Sequence, residues 1–329
     1  MTSLVTGANG FVGAAVVRTL LANGENVRAL ARPGSNTVNL DSLAVDIVRG
    51  DITDSDSLLA AMQGCRTVFH VAADYRLWVP DQDAMYRTNI EGSVNVVESA
   101  AAAGADRLVY TSSVAVLGIN PDKTPADETT PVGIADMVGP YKRSKFLAEQ
   151  AVRKRATELG FPVVTVNPST PIGPGDFRPT PTGRIIVDAA LGKMPAYVET
   201  GLNIVHVDDV ARGHLLARDA GRPGERYILG GADLSLREIL AMVAAGSGRK
   251  PPVLRLPRSV VYPVALGAEA LARLFGIEPV VTRDELRMAK KHMYFSSRKA
   301  ESELGYRWRP PEEAIADALA WFRAHDVIR

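Results

Sequence analysis

The chain has 329 residues, and its 38 Lys and Arg against 37 Asp and Glu give a formal net charge of +1. This balance excludes the strongly basic field of a nucleic-acid-binding surface, so no nucleic-acid partner is expected. The hydrophobic share of 46% is ordinary for a globular protein. No run of about 18 apolar residues predicts a transmembrane segment, and the single cysteine, Cys65, cannot form an internal disulfide. We therefore expect a cytoplasmic protein.

Short apolar runs alternate with helical patterns in the first half of the chain. Strands are predicted at Ser3–Val5, Asn26–Ala31, Ala44–Val48, Thr67–Val71, Arg107–Thr111 and Pro162–Asn167. Helices are predicted at Phe11–Ala22, Ser55–Met62, Tyr86–Ala103 and Pro140–Leu159. Regular alternation of this kind is typical of the α/β class, and it predicts a Rossmann domain with a doubly wound parallel sheet.

The alternation loosens in the second half. The proline-rich stretch Pro168–Pro181 predicts a loop. We expect it to lead into a smaller, mostly C-terminal α/β substrate domain, which divides the chain into 1–167 and 168–329. Residues 203–218 are predicted as a strand and a helix that return to the first domain's sheet. The apolar stretch Val260–Phe275 predicts a core or interface helix, with contact to a membrane or a greasy substrate as the alternative.

A glycine-rich loop directly follows the first predicted strand. Residues 6–13 read TGANGFVG. Glycines in such a loop let the backbone turn tightly, approach a pyrophosphate and pack a helix against a strand. The N-terminus of the next helix offers free N–H groups and partial positive charge to phosphates. The loop therefore predicts a nucleotide site with contacts from Gly7, Asn9, Gly10, Phe11, Val12 and Gly13.

The residues after the second predicted strand bear on the choice between NAD and NADP. NAD sites usually place Asp or Glu there to bind the ribose 2′-hydroxyl, yet no acidic residue occurs from Val27 to Asn39. Arg32 can pair with a 2′-phosphate through its planar guanidinium, and Ser35 can add a hydrogen bond. This pattern favours NADP as the cofactor, with NAD as the alternative.

Tyr141 and Lys145 form a Y-x-x-x-K pair in a predicted helix. Residues i and i+4 lie on one face of a helix. We expect the lysine ammonium to lower the pKa of the tyrosine, so that the phenol can exchange a proton with a substrate oxygen. Upstream, Ser112 and Ser113 close a predicted strand.

With the glycine loop, the Tyr141–Lys145 pair resembles the extended short-chain dehydrogenase/reductase superfamily. The resemblance implies that Ser113 orients the substrate oxygen, with Ser112 as the alternative, and that Lys145 also holds the nicotinamide ribose. It implies that Asn89 helps to organise the site, with a purely structural role as the alternative. The remaining cofactor contacts are expected from Asp51, Ile52, Val71, Ala72, Ala73, Pro168 and Thr170.

Longer stretches of the sequence make the resemblance specific to particular families. HVAADYRLW (70–78), NPSTPIGPGD (167–176) with PTPTGRIIVD (179–188), and NIVHVDDVARGHLLA (203–217) are similar to the hopanoid-biosynthesis-associated sugar epimerase family. VRALAR (27–32) resembles dihydroflavonol reductases. These similarities imply a homodimer and a small carbonyl, alcohol or sugar substrate. The expected substrate contacts, besides Ser113, are Tyr75, Trp78 and Arg178.

Three reactions fit this scaffold, namely the dehydration of a sugar, the epimerisation of a sugar, and a simple reduction or oxidation. Sugar dehydratases that resemble it carry an acid pair just after the catalytic Ser or Thr, whereas Val114 and Ala115 here cannot do acid–base work. Because epimerases typically keep NAD, Arg32 favours net reduction. An NADP(H)-linked reductase or dehydrogenase is therefore the preferred hypothesis. The alternatives are a sugar epimerase and a non-catalytic NADP-binding sensor or scaffold.

His206, Asp208 and Asp209 lie close together in the sequence, but no metal is expected there. Asp208 or Asp209 is predicted to cap the following helix. The other histidines show no ligand spacing.

Overall fold

The computed structural model describes residues 1–79, 81–275 and 282–328. The strands are β1 (Thr2–Thr6), β2 (Asn26–Ala31), β3 (Asp46–Arg49), β4 (Thr67–His70), β5 (Arg107–Thr111), β6 (Val163–Pro168), β7 (Thr170–Ile172), β8 (Ala196–Tyr197), β9 (Gly201–His206), β10 (Arg226–Leu229), β11 (Ala232–Ser235), β12 (Leu254–Arg255) and β13 (His292–Met293). The α-helices are α1 (Phe11–Ala22), α2 (Ser55–Met62), α3 (Gln82–Tyr86), α4 (Gly92–Ala102), α5 (Gly139–Leu159), α6 (Pro181–Ala190), α7 (Val207–Ala220), α8 (Leu236–Ser247), α9 (Arg258–Phe275), α10 (Arg283–Met288), α11 (Arg298–Leu304) and α12 (Pro311–Ala324).

The main sheet has, within those residues, seven strands in the order β3-β2-β1-β4-β5-β6-β10. Every neighbouring pair is parallel. This confirms the predicted α/β class with a parallel sheet. The strand order reverses beside β1, and a reversal of this kind opens a crevice at the carboxyl edge of the sheet where ligands bind.

Helices cover both faces of the main sheet. On one face α1 and α7 bury apolar side chains such as Val16 and Val210 against the strands. On the other face α2, α4 and α5 contribute Leu58, Val97 and Val152 to a second buried cluster. Since helices cover both faces, the middle of each central strand is apolar and buried, which makes these strands recognisable in the sequence.

A second sheet is built around β9, which pairs in parallel with β7 and β13 and antiparallel with β11. The expectation that residues 203–218 return to the main sheet is therefore wrong for the strand. Asn203 in β9 donates to Asp233 Oδ1 at 2.7 Å and to Phe295 O at 3.1 Å, and these bonds tie β9 to the second sheet. The strand that returns to the main sheet is β10, whereas α7 does pack on α1.

Two local predictions differ from the structure. The predicted loop Pro168–Pro181 contains β7, and α6 begins at Pro181 after its cap residue, Thr180. The cap of α7 is His206, whose Nδ1 accepts from Asp208 N at 3.0 Å, so the predicted cap at Asp208 or Asp209 is wrong. The buried carboxylate of Asp209 instead accepts hydrogen bonds from Arg309.

The apolar stretch from residue 260 to 275 forms most of α9. Ala265 and Ala272 are buried, but Val260, Val264 and Leu271 are more than half exposed. A pure core helix would bury these side chains, so that interpretation is wrong for this face. No helix among the described residues is both long and apolar enough to cross a membrane.

Candidate active site

The predicted cofactor residues lie at the carboxyl ends of adjacent strands. Gly7 follows β1, Arg32 follows β2, Asp51 lies just after β3 and Val71 follows β4. Because these strands are parallel neighbours, their carboxyl ends share one edge of the sheet. The fold therefore brings together positions that are dispersed along the sequence.

The glycine loop packs tightly against the sheet and opens α1. Gly7 has φ +64°, and a Cβ there would lie 2.7 Å from the backbone of Ala72. A Cβ on Gly13 would lie 2.0 Å from the carbonyl oxygen of Gly7. Gly10 caps α1 without a side-chain hydrogen bond, and the first turn carries no acidic residue. The free N–H groups of this turn, which includes Phe11 and Val12, suit a phosphate.

Arg32 stands exposed at the rim of this edge. Its carbonyl oxygen accepts from Ser35 Oγ at 2.7 Å, but its guanidinium has no hydrogen bond or ion pair within the described residues. Asn9 Nδ2 donates to Asn36 O at 2.7 Å, which ties the loop after β2 to the glycine loop. The Arg32 guanidinium is near enough to Asp74 to help lower the pKa of that carboxyl. Without a bonded partner, it can still take a 2′-phosphate at the end of β2.

The remaining cofactor positions form the rest of the edge. Asp51 Oδ1 accepts from Thr53 N at 2.9 Å, and Ile52 beside it is buried. The hydroxyls of Ser112 and Ser169 are buried without a partner within the described residues. Buried polar groups are normally hydrogen-bonded, so these orphaned hydroxyls fit the polar end of a bound group. The other predicted contacts near this edge are the half-buried Ala72 and Ala73 and the buried Pro168 and Thr170.

Tyr141 and Lys145 lie at the start of α5, which begins at Gly139 with a proline in its first turn. Lys145 Nζ donates to Thr111 O at 2.9 Å and lies 3.3 Å from Tyr110 Oη, at the end of β5. The structure thus brings the lysine to the strand that leads into the two predicted serines. The Lys145 ammonium therefore has a fixed hydrogen-bond acceptor, Thr111 O, at the end of this strand.

The Ser113 hydroxyl faces the Tyr141 phenol and accepts from Ala115 N at 3.1 Å. Burial raises the pKa of Tyr141, and the Ser113 hydroxyl only partly opposes this rise. The expected lowering by Lys145 is therefore wrong in this structure, because desolvation of the phenolate dominates. Burial also lowers the pKa of Lys145 to about 8, and the Glu149 carboxylate opposes that fall.

Asn89 lies in a π-helical segment, Arg87–Glu91, that joins α3 to α4. Its amide forms two hydrogen bonds with the backbone of Asp74 and a third, at 2.9 Å, with Ser144 Oγ. Ser144 in turn lies between Tyr141 and Lys145 on α5. π-Helical insertions are frequent at functional sites. Here the hydrogen bonds of Asn89 connect the loop after β4 to α5.

The predicted substrate residues lie on two loops near this edge. Tyr75 is 45% exposed, and Trp78 is half-buried. Arg178, on the loop before α6, is exposed and close enough to influence the Tyr75 phenol electrostatically. The fold thus brings Tyr75 and Arg178 together, although their direct contact with a substrate stays a prediction.

Sequence reasoning missed several buried polar residues of the site. His70 ends β4 between Thr6 Oγ1 at 2.8 Å and Ser93 Oγ at 2.9 Å. Burial lowers the pKa of His70 to about 3, so it is neutral at pH 7. Glu149 follows Lys145 by four residues on α5, a spacing that was available as a signal, whereas nothing local marked the role of His70.

Asp176 was also missed. It is buried on the loop before α6, where it accepts from Thr180 Oγ1 at 2.9 Å. Burial raises the pKa of Asp176 to about 6, against the effect of its bonds to Thr180.

Comparison with known proteins gives one family match. The model described as NAD dependent epimerase/dehydratase family matches residues 3–230. A protein of Synechocystis sp. is 44% identical over 99% of this chain and 95% of its own length. Its provisional name is dihydroflavonol 4-reductase. Sterol demethylase protein B of Methylococcus capsulatus is 36% identical, with all of both chains covered. The crystal structure of gox2253 is 53% identical with a TM-score of 0.90, over 100% of this chain and 99% of that one.

Proposed function

The chain belongs to the NAD dependent epimerase/dehydratase family, within the extended short-chain dehydrogenases/reductases, and from that premise we propose that it is an NADP(H)-linked reductase or dehydrogenase of a carbonyl or secondary alcohol. That it is an NAD(P)-dependent enzyme follows from the family. The observation that carries the finer proposal is the free guanidinium of Arg32 beside the glycine loop, where an NAD site has an acidic residue. The reductase name of the relative from Synechocystis also supports it.

In this proposal the chain's own residues hold the substrate oxygen and move its proton. The nicotinamide supplies or accepts the hydride when it is bound. Ser113 donates a hydrogen bond to the substrate carbonyl, and Tyr141 gives the proton that turns the carbonyl oxygen into a hydroxyl. The Lys145 ammonium, which its bonds to Thr111 and Tyr110 fix at the end of β5, holds the nicotinamide ribose in this proposal.

A panel of ketones tests the reaction directly. We expect NADPH oxidation in proportion to the ketone consumed. A sugar epimerase of the hopanoid-associated type is the second candidate, and the family's epimerase members support it. Epimer interconversion at catalytic amounts of cofactor, without net NADPH oxidation, would reject the reductase in favour of that candidate.

Arg32 is expected to set the cofactor preference. Arg32→Ala removes charge-assisted hydrogen bonds to the 2′-phosphate, each worth about 1.5–3 kcal/mol, so the Kd for NADPH should rise by about 10–100-fold. The Kd for NADH should stay the same, since NADH has no phosphate there. Titration of nicotinamide fluorescence measures both constants. Arg66→Ala is the control, because Arg66 precedes β4 at the opposite edge of the sheet and pairs with Asp106.

Glu149 is expected to set the alkaline limit of activity. Its carboxylate opposes the fall in the pKa of Lys145, which stands at about 8. Glu149→Gln removes that charge, so the pKa should fall further and Lys145 should lose its proton at a lower pH. A profile of kcat/KM against pH should show its alkaline limb moved to lower pH. Glu158→Gln, at an exposed position on the same helix, should leave the limb in place, and an unmoved limb in Glu149→Gln would reject this role.

The division into a cofactor domain at 1–167 and a substrate domain at 168–329 stays a proposal, as does the homodimer. The exposed side of α5, which includes Arg153 and Lys154, is available for such a contact.

A further inference from the structure

A small cavity lies beside the segments that carry Ser113 and Tyr141. Its volume is about 70 Å³, and Ala115 and Val138 form part of its wall. Ala115 follows Ser113 by two residues, and Val138 caps the helix that carries Tyr141. Most of the remaining wall is apolar, with side chains such as Leu117, Ile119, Met288 and Met293.

Two lysines interrupt this apolar lining. Lys142, next to Tyr141 in the sequence, is only 7% exposed and yet has no hydrogen bond or ion pair within the described residues. Lys291, in the turn after α10, is exposed and lies at the cavity's open side. Its neighbour Lys290 does not line the cavity. Burial lowers the pKa of Lys142 to about 8, and the nearby ammonium of Lys291 contributes to this fall.

The start of α5 adds further positive potential. Val138 caps this 21-residue helix without a side-chain hydrogen bond, and its first turn carries no acidic residue. Partial positive charge therefore faces the same wall. The acidic residue on the wall, Asp136, already accepts a hydrogen bond from Gly133 N at 2.9 Å. The Asp284 carboxylate also lies close to Gly139 at the start of α5, where it already pairs with Arg287. Neither carboxylate forms an ion pair with Lys142 or Lys291 within the described residues.

The stem of Lys142 is buried, but its ammonium is not one of the fully enclosed atoms that lack a partner. A cation partly withdrawn from water is stabilised by a nearby anion. We propose that Lys142 and Lys291 bind an anionic group, a carboxylate or a phosphate, of a substrate whose remaining body is apolar. The inference rests on the proposed function, because it places the reacting oxygen at Ser113 and Tyr141. The apolar wall takes the hydrocarbon part, and the two ammonium groups select the charged end.

Calorimetry on the NADP⁺-loaded protein tests this without turnover. The probes are decanoate, decyl phosphate and decanol, each below its micelle concentration. A charge-assisted contact that is partly shielded from water should make at least one of the two anions bind about tenfold or more tightly than decanol. The tighter of the two anions identifies the charged group as carboxylate or phosphate.

The variants Lys142→Met and Lys291→Met should each reduce that preference to about threefold or less, because one of two cations is lost. Lys290→Met, at an exposed position next to Lys291, should keep the full preference. If thermal unfolding shows that Lys142→Met does not fold, Lys291→Met decides the matter.

Equal binding of decanol and both anions, or an anion preference that survives in Lys291→Met, would overturn the inference. These outcomes are separate from the ketone panel. If the protein reduces ketones but binds decanol and both anions equally, only the anion subsite is refuted. A protein that binds decanoate through Lys291 but oxidises no NADPH refutes only the reductase.

Discussion

Replacing Tyr141 by Phe is expected to lower kcat by about 10²–10⁴-fold, the usual contribution of a general acid or base. The substitution removes one oxygen atom from a half-buried ring whose hydroxyl faces Ser113. The ring itself stays, so the fold and the Kd for NADPH should change little. Stopped-flow measurement of hydride transfer, beside a fluorescence titration of NADPH, separates the two effects.

Tyr197→Phe is the matched control. Tyr197 is buried and lies in β8, in the two-stranded sheet with β12, away from Ser113. It should keep full activity. Unchanged turnover in Tyr141→Phe would remove Tyr141 from the chemistry and support the sensor or scaffold alternative. Loss of NADPH binding would instead show that the phenol holds the cofactor.

Gly13→Ala is expected to cost about 1–3 kcal/mol of stability or more, the usual penalty for overpacking. The new Cβ would lie 2.0 Å from the oxygen and 2.7 Å from the carbon of the Gly7 carbonyl. Backbone atoms cannot turn aside as a flexible side chain can, so α1 must move away from the glycine loop. The free energy of unfolding measured with denaturant should fall, and the Kd for NADPH should rise.

Gly267→Ala provides the matched control. Gly267 also lies within a helix, α9, but a Cβ there would meet nothing within 4 Å. Alanine is the better helix former by about 1 kcal/mol, so this variant should gain stability and bind NADPH as before. Equal stability changes in the two variants would show that the close approach at Gly13 is not the cause.

Local patterns were enough to predict six of the seven strands that the structure describes in the main sheet; β10 was not predicted. The central strands bury apolar residues on both faces, so each leaves a short apolar signal. The glycine loop is local at Gly10 and Gly13, which approach the backbone of Gly7, whereas Gly7 itself approaches the distant Ala72. The site residues Tyr141 and Lys145 were found through a spacing of four on one helix. Except at Gly7, the cause in each case acts between residues that are close in the sequence.

Tertiary structure decided the features that depend on distant partners. The sequence showed a strand near Asn203, but only its bonds to Asp233 and Phe295 place β9 in the second sheet. The pKa of Tyr141 rises because burial disfavours the phenolate, and the ammonium of the lysine four residues away is bound to Thr111 O. The unpartnered burial of Lys142 likewise depends on side chains from other parts of the chain. Sequence therefore determined the fold class and the local motifs, and long-range packing decided pairing and desolvation.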